Sequence, residues 1–169
     1  VLGGPESAND QSEKIQSGLV RIREWIQGGR PYLGICLGMQ LLFESSVEVT
    51  ETKGLGWIPG QVKYMALPHT LRVPHVGWNE LNLTRHSEFF SHLTTDKDFY
   101  FVHSFYADCE DTYKIATFEY GNNMTAAVQN NNVVGMQFHP EKSQKIGLET
   151  LNNFFEWAKS YYSEVRLYA

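Results

Sequence analysis

Between residues 11 and 27 the apolar side chains Ile15, Leu19, Ile22 and Ile26 recur at a 4-3-4 spacing, which places them on one face of a helix. Gly28-Gly29 stops that helix and Pro31 bars its continuation. The next segment, Tyr32-Leu33-Gly34-Ile35, is short and apolar and runs straight into Cys36-Leu37-Gly38-Met39-Gln40-Leu41-Leu42-Phe43. It reads as a buried strand turning sharply into a second helix. Helix, Gly-Gly break, strand, turn and helix is the order of an α/β protein with a parallel sheet. Past residue 50 the pattern changes to short strands between Gly, Pro and Asn, predicted at residues 61–65, 71–76, 99–106, 114–118 and 125–129. The turn cluster Asn130-Asn131-Asn132 joins the last of these to residues 133–138 in a predicted hairpin. Leu148, Leu151, Phe155, Ala158 and Tyr162 repeat at 3-4-3-4 and predict an amphipathic C-terminal helix with these residues on its apolar face. No linker, repeat or low-complexity tract interrupts the chain, which predicts a single domain over residues 1–169.

Composition narrows the class. Of 169 residues 42% are hydrophobic, enough for a substantial core, and disordered, collagen-like and coiled-coil readings fall away. Charged residues or Gln break every apolar stretch before the ~18–20 residues a membrane helix needs, so a soluble protein without membrane association is expected. Lys and Arg number 14 against 19 Asp and Glu, giving a net charge of −5 and a pI near 5.7. That acidic balance argues against a surface built for nucleic-acid phosphates. Cys36 and Cys109 are too few for a disulfide framework and have no metal-type pairing with nearby His, which points to a reducing, cytoplasmic setting. In that setting the sequons Asn82-Leu83-Thr84 and Asn123-Met124-Thr125 are chance matches.

Gly34-Ile35-Cys36-Leu37-Gly38 has the form G-x-C-x-G between a predicted strand and a predicted helix. In a nucleophile elbow, glycines flank the nucleophile because the strained turn admits nothing larger, and the side chain is exposed above the sheet. A cysteine there sits at a helix N-terminus, where the dipole favours the thiolate and the Leu37 N–H can donate to an oxyanion. The competing reading is a buried structural cysteine. His139, ending the apolar run 133–138 before Pro140, is the best-placed base, because strand C-termini are where α/β sites assemble. Glu141 could orient its imidazole, unless it is an ordinary surface carboxylate. His103, within the aromatic run 99–105, is the rival base, although a strand interior more often holds a satisfied core histidine. His69, His75, His86 and His92 lie in polar, loop-like contexts and carry no catalytic assignment. No metal-ligand pattern or nucleotide-binding glycine motif occurs, so neither metal nor cofactor is implied. Gly3-Gly4-Pro5 looks like a strand-end turn whose N–H groups could supply a second oxyanion donor.

Taken together, residues 31–46, Gly54-Leu55-Gly56-Trp57-Ile58-Pro59-Gly60, Pro74-His75-Val76-Gly77-Trp78-Asn79, Phe101-Val102-His103-Ser104 and Gly135-Met136-Gln137-Phe138-His139-Pro140-Glu141-Lys142-Ser143 resemble the class I glutamine amidotransferases. The Gly-Leu-Gly-Trp and Pro-His-x-Gly-Trp-Asn segments resemble the branch of glutaminase subunits of imidazole glycerol phosphate synthases, in histidine biosynthesis. The resemblance implies a mostly parallel open sheet flanked by helices with an additional antiparallel portion. It implies a Cys36, His139 and Glu141 triad that hydrolyses glutamine through a glutamyl thioester, with Leu37 and Gly4 as oxyanion donors. Gly38, Gln40, Glu48, Ser104 and Phe105 match substrate-binding positions. Trp78, Tyr100 and Lys142 match positions at the interface with a (β/α)8-barrel synthase subunit that receives the ammonia. Against this family, the chain is expected to lack a first strand, helix and strand ahead of Val1-Leu2-Gly3-Gly4, and Gly3-Gly4-Pro5 departs from the usual Pro-Gly-x-Gly turn. Alternatives are a related glutaminase feeding another acceptor, such as a nucleotide sugar, and a non-catalytic binding partner that keeps the fold.

Overall fold

The computed structural model describes residues 8–48, 52–94 and 96–167, with side chains from Ser17 to Ser163. Helix α1 spans Ala8–Gln27; its Ile26 is buried, and Leu19 and Ile22 pack against the same cluster, as their spacing requires. The helix ends where Gly29 takes a left-handed φ of 70°, with Gly29 N–H bonded to Ile26 O and Arg30 N–H to Trp25 O. The Asn132 amide donates to Ile26 O (3.0 Å) and Arg30 O (2.7 Å), tying this turn to a hairpin more than a hundred residues away.

Strand β1 is Tyr32–Ile35, as the sequence predicts, and the helix after it is a single turn, α2 (Leu37–Gln40). The remaining strands in chain order are β2 (Ser45–Ser46), β3 (Thr52–Lys53), β4 (Gly60–Tyr64), β5 (His75–Glu80), β6 (Asn82–Leu83), β7 (Asp98–His103), β8 (Phe105–Cys109), β9 (Lys114–Tyr120), β10 (Asn122–Asn130) and β11 (Val133–Met136). The order β1-β11-β10-β9-β6 makes a five-stranded sheet, β3-β2-β4-β8 a four-stranded one, and β5 and β7 a two-stranded ribbon. Among the described residues only β1–β11 and β2–β4 pair in parallel; the other ladders are antiparallel. The α/β class holds, with a larger antiparallel share than expected and parallel pairing kept where the site lies.

Three local expectations change. The strand placed at residues 71–76 begins only at His75, after Pro74, which has no N–H to give to a ladder. The run 99–106 is two strands: β7 pairs with β5, the chain corners at Ser104, and β8 pairs with β4. The C-terminal helix α3 (Gln144–Leu167) is rotated from its predicted face, with Leu148 and Phe155 59% and 56% exposed while Thr150 and Phe154 are buried. The cause is the aromatic cluster it meets: Phe89 packs against Phe154 and Trp157, which pulls that side of the helix inward.

Candidate active site

Because β1 and β11 run in parallel, with Ile35 opposite Met136, the segments that follow them emerge at the same sheet edge. Cys36 is the first residue after β1, and its N–H donates to Met136 O at 2.7 Å, extending the ladder one residue past the strand. The chain turns at Cys36 itself, whose φ of 51° and ψ of −106° lie in a region costly for any residue with a β-carbon, on the order of 1–3 kcal/mol. Gly34 permits the turn, since a β-carbon there would overlap the Gly38 carbonyl and the Met39 nitrogen. Directly across the ladder Gly135 does the same for the Met39 side chain, 2.7 Å from where a β-carbon would sit. The second glycine of the motif is different: a β-carbon at Gly38 would meet only the Tyr32 hydroxyl at 3.6 Å, so sterics do not demand glycine there.

Cys36 Sγ is half-buried and surrounded by polar groups. The thiol faces Val102 O at 3.9 Å, the Leu37 N–H points at the sulfur, and Gln137 Nε2 donates to it from 3.6 Å. Burial pushes the thiol above its ordinary pKa; the Leu37 amide opposes this, Glu48 and Glu141 reinforce it, and Gln137 opposes it. The net shift is upward, so the resting group at neutral pH is a thiol that needs a base. His139, three residues beyond β11, has Nδ1 2.7 Å from Glu141 Oε1. A carboxylate only accepts, so Nδ1–H is the donor of this bond, and the neutral ring bonded this way has its lone pair on Nε2. A short 3-10 turn over Pro140–Lys142 brings Glu141 back to the ring. His139 N–H donates to Tyr100 O (2.8 Å), and the Ser143 hydroxyl donates to His139 O (2.7 Å) while accepting from Tyr100 N–H (3.0 Å).

The rival base is a core histidine. His103 is buried, its Nδ1 lies 2.7 Å from Phe105 O, its Nε2 has no partner, and desolvation lowers its pKa to about 4. His75, expected in a polar loop, is instead buried on β5, stacked on Tyr120 at 4.0 Å and edge-on to His103 at 5.5 Å. His92 is also no loop residue in water: it bonds Ile146 O and the side chain of Asn153, pinning α3.

Of the expected substrate positions, Gln40 is buried and donates from Nε2 to Phe105 O (3.2 Å) and Gln137 Oε1 (3.0 Å). Ser104 and Phe105 form the β7–β8 corner beside it, and Gly38 stands on the elbow turn. Glu48 is exposed, yet near enough to Cys36 to act on its charge. Gly4, the expected second oxyanion donor, lies outside the described residues. Trp78 is 47% exposed and meets Tyr100 edge-on at 5.9 Å, and Lys142 is exposed on the turn beside Glu141. The His139 N–H bond to Tyr100 O sets the Trp78–Tyr100 pair beside the His139 turn. Sequence reasoning missed Gln137, whose only signal was a polar residue inside the apolar run before His139. Among the described residues no group of three His, Cys, Asp or Glu could hold a metal ion, and no helix is long and apolar enough to cross a membrane.

Comparison with known proteins identifies the family. Residues 1–157 match the family described as "Glutamine amidotransferase class-I". A protein of Vibrio vulnificus (strain YJ016) named "Imidazole glycerol phosphate synthase subunit HisH 2" is 63% identical over 162 residues, 94% of this chain and 76% of that protein. The HisH subunits of Lacticaseibacillus casei (strain BL23) and Moorella thermoacetica are 50% and 47% identical, covering 80% and 92% of this chain. The chain spans 64% and 75% of the lengths of those two relatives. The crystal structure of a glutamine amidotransferase from Thermotoga maritima has a similar fold, with a TM-score of 0.56 at 19% identity over 98% of this chain and 62% of that one.

Proposed function

Because the chain belongs to the class I glutamine amidotransferase family, we propose that it is the glutaminase subunit of an imidazole glycerol phosphate synthase, cleaving glutamine to glutamate and ammonia. The observation that carries the reading is that the parallel neighbours β1 and β11 lead, at one sheet edge, to a strained Cys36 and to a His139 whose Nδ1 is held by Glu141.

His139 Nε2 takes the proton of the Cys36 thiol, and the sulfur adds to the glutamine carboxamide carbon. The negative oxygen that forms is stabilised by the Leu37 N–H, which is already directed at the nucleophile. His139, now charged and stabilised by Glu141, gives its proton to the leaving nitrogen; the C–N bond breaks and ammonia departs, leaving a thioester on Cys36. His139 then draws a proton from water, whose oxygen displaces the sulfur and yields glutamate. Glutamine's amino-acid end sits against Gln40, Gly38, Glu48 and the Ser104–Phe105 corner. The exposed surface of Trp78, Tyr100 and Lys142 receives a (β/α)8-barrel synthase subunit, into which the ammonia passes. The cell compartment of such a biosynthetic subunit is the cytoplasm.

A chloroketone analogue of glutamine tests the proposal. It is expected to alkylate Cys36, located by peptide mapping, and to abolish glutamine-dependent but not ammonia-dependent synthesis by the barrel subunit. Label absent from Cys36 removes the enzyme reading, and copurification of a synthase from outside histidine biosynthesis removes the pathway.

A further inference from the structure

A chain of side-chain amides runs from the β7–β8 corner to the nucleophile, and its polarity is fixed at its far end. Phe105 O is a backbone carbonyl and can only accept. It receives His103 Nδ1–H at 2.7 Å and one proton of Gln40 Nε2 at 3.2 Å. Gln40 therefore turns its nitrogen inward, and its second proton goes to Gln137 Oε1 at 3.0 Å. With its oxygen held there, Gln137 has only its nitrogen to offer the sulfur of Cys36, at 3.6 Å. Gln137 is wholly buried, so neither flipping nor exchange of partners with water is open to it.

We propose that Gln137 is a catalytic residue of this site, a fixed donor that stabilises the Cys36 thiolate and is aimed by Gln40. The neutral thiol needs no such donor, since its S–H can point at Val102 O, 3.9 Å away. Once the proton leaves, that carbonyl repels the sulfur while the Gln137 N–H bond strengthens, as bonds to charged acceptors do. The donor therefore acts on the reactive state more than on the resting one. Two carboxylates, Glu48 and Glu141, bear on the same sulfur and oppose its ionisation. Gln137 and the Leu37 N–H are the groups that answer them. The role deepens the glutaminase reading, although the bond itself needs no glutamine.

The test is the pH dependence of Cys36 alkylation by iodoacetamide, followed by peptide mapping in wild type, Gln137→Glu and Gln137→Met. Gln137→Glu keeps the oxygen that accepts from Gln40, replaces the N–H donor to sulfur and, when ionised, adds a negative charge beside it. Gln137→Met removes both; Gln40 stays bonded to Phe105 O through one proton and loses the acceptor of its second. The Met variant is expected to raise the alkylation midpoint by about one pH unit, slowing the reaction roughly tenfold below it, and the Glu variant to raise it further. Cys109, a separate half-buried thiol with a pKa of about 11, reports whether the fold is intact. An unmoved midpoint in folded variants overturns the assignment. If neither variant folds, the Gln137 side-chain amide resonances of the wild type must shift across the Cys36 titration, and resonances that stay fixed overturn it equally. Wild-type Cys36 that ignores the glutamine chloroketone while the iodoacetamide midpoints shift refutes the glutaminase reading and leaves the Gln137 assignment standing.

Discussion

Replacing His103 with Phe should change how stability depends on pH, and the structure gives the size of the effect. The imidazole sits among Phe101, Phe118 and His75, and its Nε2 faces no acceptor, so a proton added there would be a buried, unanswered charge. Burial accordingly lowers its pKa from 6.5 to about 4. A base whose folded pKa is depressed contributes its full stability above the unfolded value and loses it as pH falls through the folded one. Between pH 6.5 and 4 the unfolded chain holds one more proton at this site, which steepens the loss by about 1.4 kcal/mol per pH unit and totals about 3 kcal/mol. Phe in its place forfeits the Nδ1–H bond to Phe105 O, costing about 1 kcal/mol at pH 7, where that carbonyl still receives Gln40. The two stability curves should therefore cross near about pH 6, with the variant the more stable protein in acid. His75, also lowered by burial, remains in both proteins, and its effect on His103 is part of the difference measured. Urea unfolding at stepped pH values measures the difference. Curves separated by a constant gap from pH 7 to 4.5 would refute the assignment of His103 as a buried neutral base.

Other perturbations have separate readouts. Cys36→Ser should reduce glutamine hydrolysis by at least about a thousandfold while leaving partner binding near normal, since the change is nearly isosteric and removes only the thiolate; steady-state ammonia release measures it. Gly34→Ala forces a β-carbon onto the Gly38 carbonyl and should destabilise the protein by more than about 3 kcal/mol, read from the urea midpoint. Asn132→Ala removes both bonds, taking the Asn132 donor from Arg30 O while Ile26 O keeps the Gly29 N–H, and should cost about 1–3 kcal/mol, again by urea unfolding. Trp78→Ala, at a half-exposed ring, should change stability by less than about 1 kcal/mol while weakening association with the synthase subunit in a pull-down or titration.

The sequence by itself determined the parts governed by local rules. The period of Ile15, Leu19, Ile22 and Ile26 and the Gly-Gly stop set α1, and the run Tyr32–Ile35 followed by G-x-C-x-G set the strand and the turn that carries Cys36. These depend on backbone sterics and on neighbours a few residues away, and both are written in adjacent letters. The Asn130-Asn131-Asn132 hairpin was equally legible, with Asn131 at a positive φ of 52°. Only tertiary packing decided the rest. The aromatic run from Phe99 continues through Ser104 without a break in its letters, and the switch of partner from β5 to β4 is what divides it. The rotation of α3 follows from where Phe89 lies, and the burial of His75 from the strand it joins. Gln137 reads as one polar residue in an apolar strand until the fold sets it against a sulfur 101 residues earlier in the chain. A donor's direction depends on every acceptor around it, and those acceptors come from segments that meet only when the sheet is assembled.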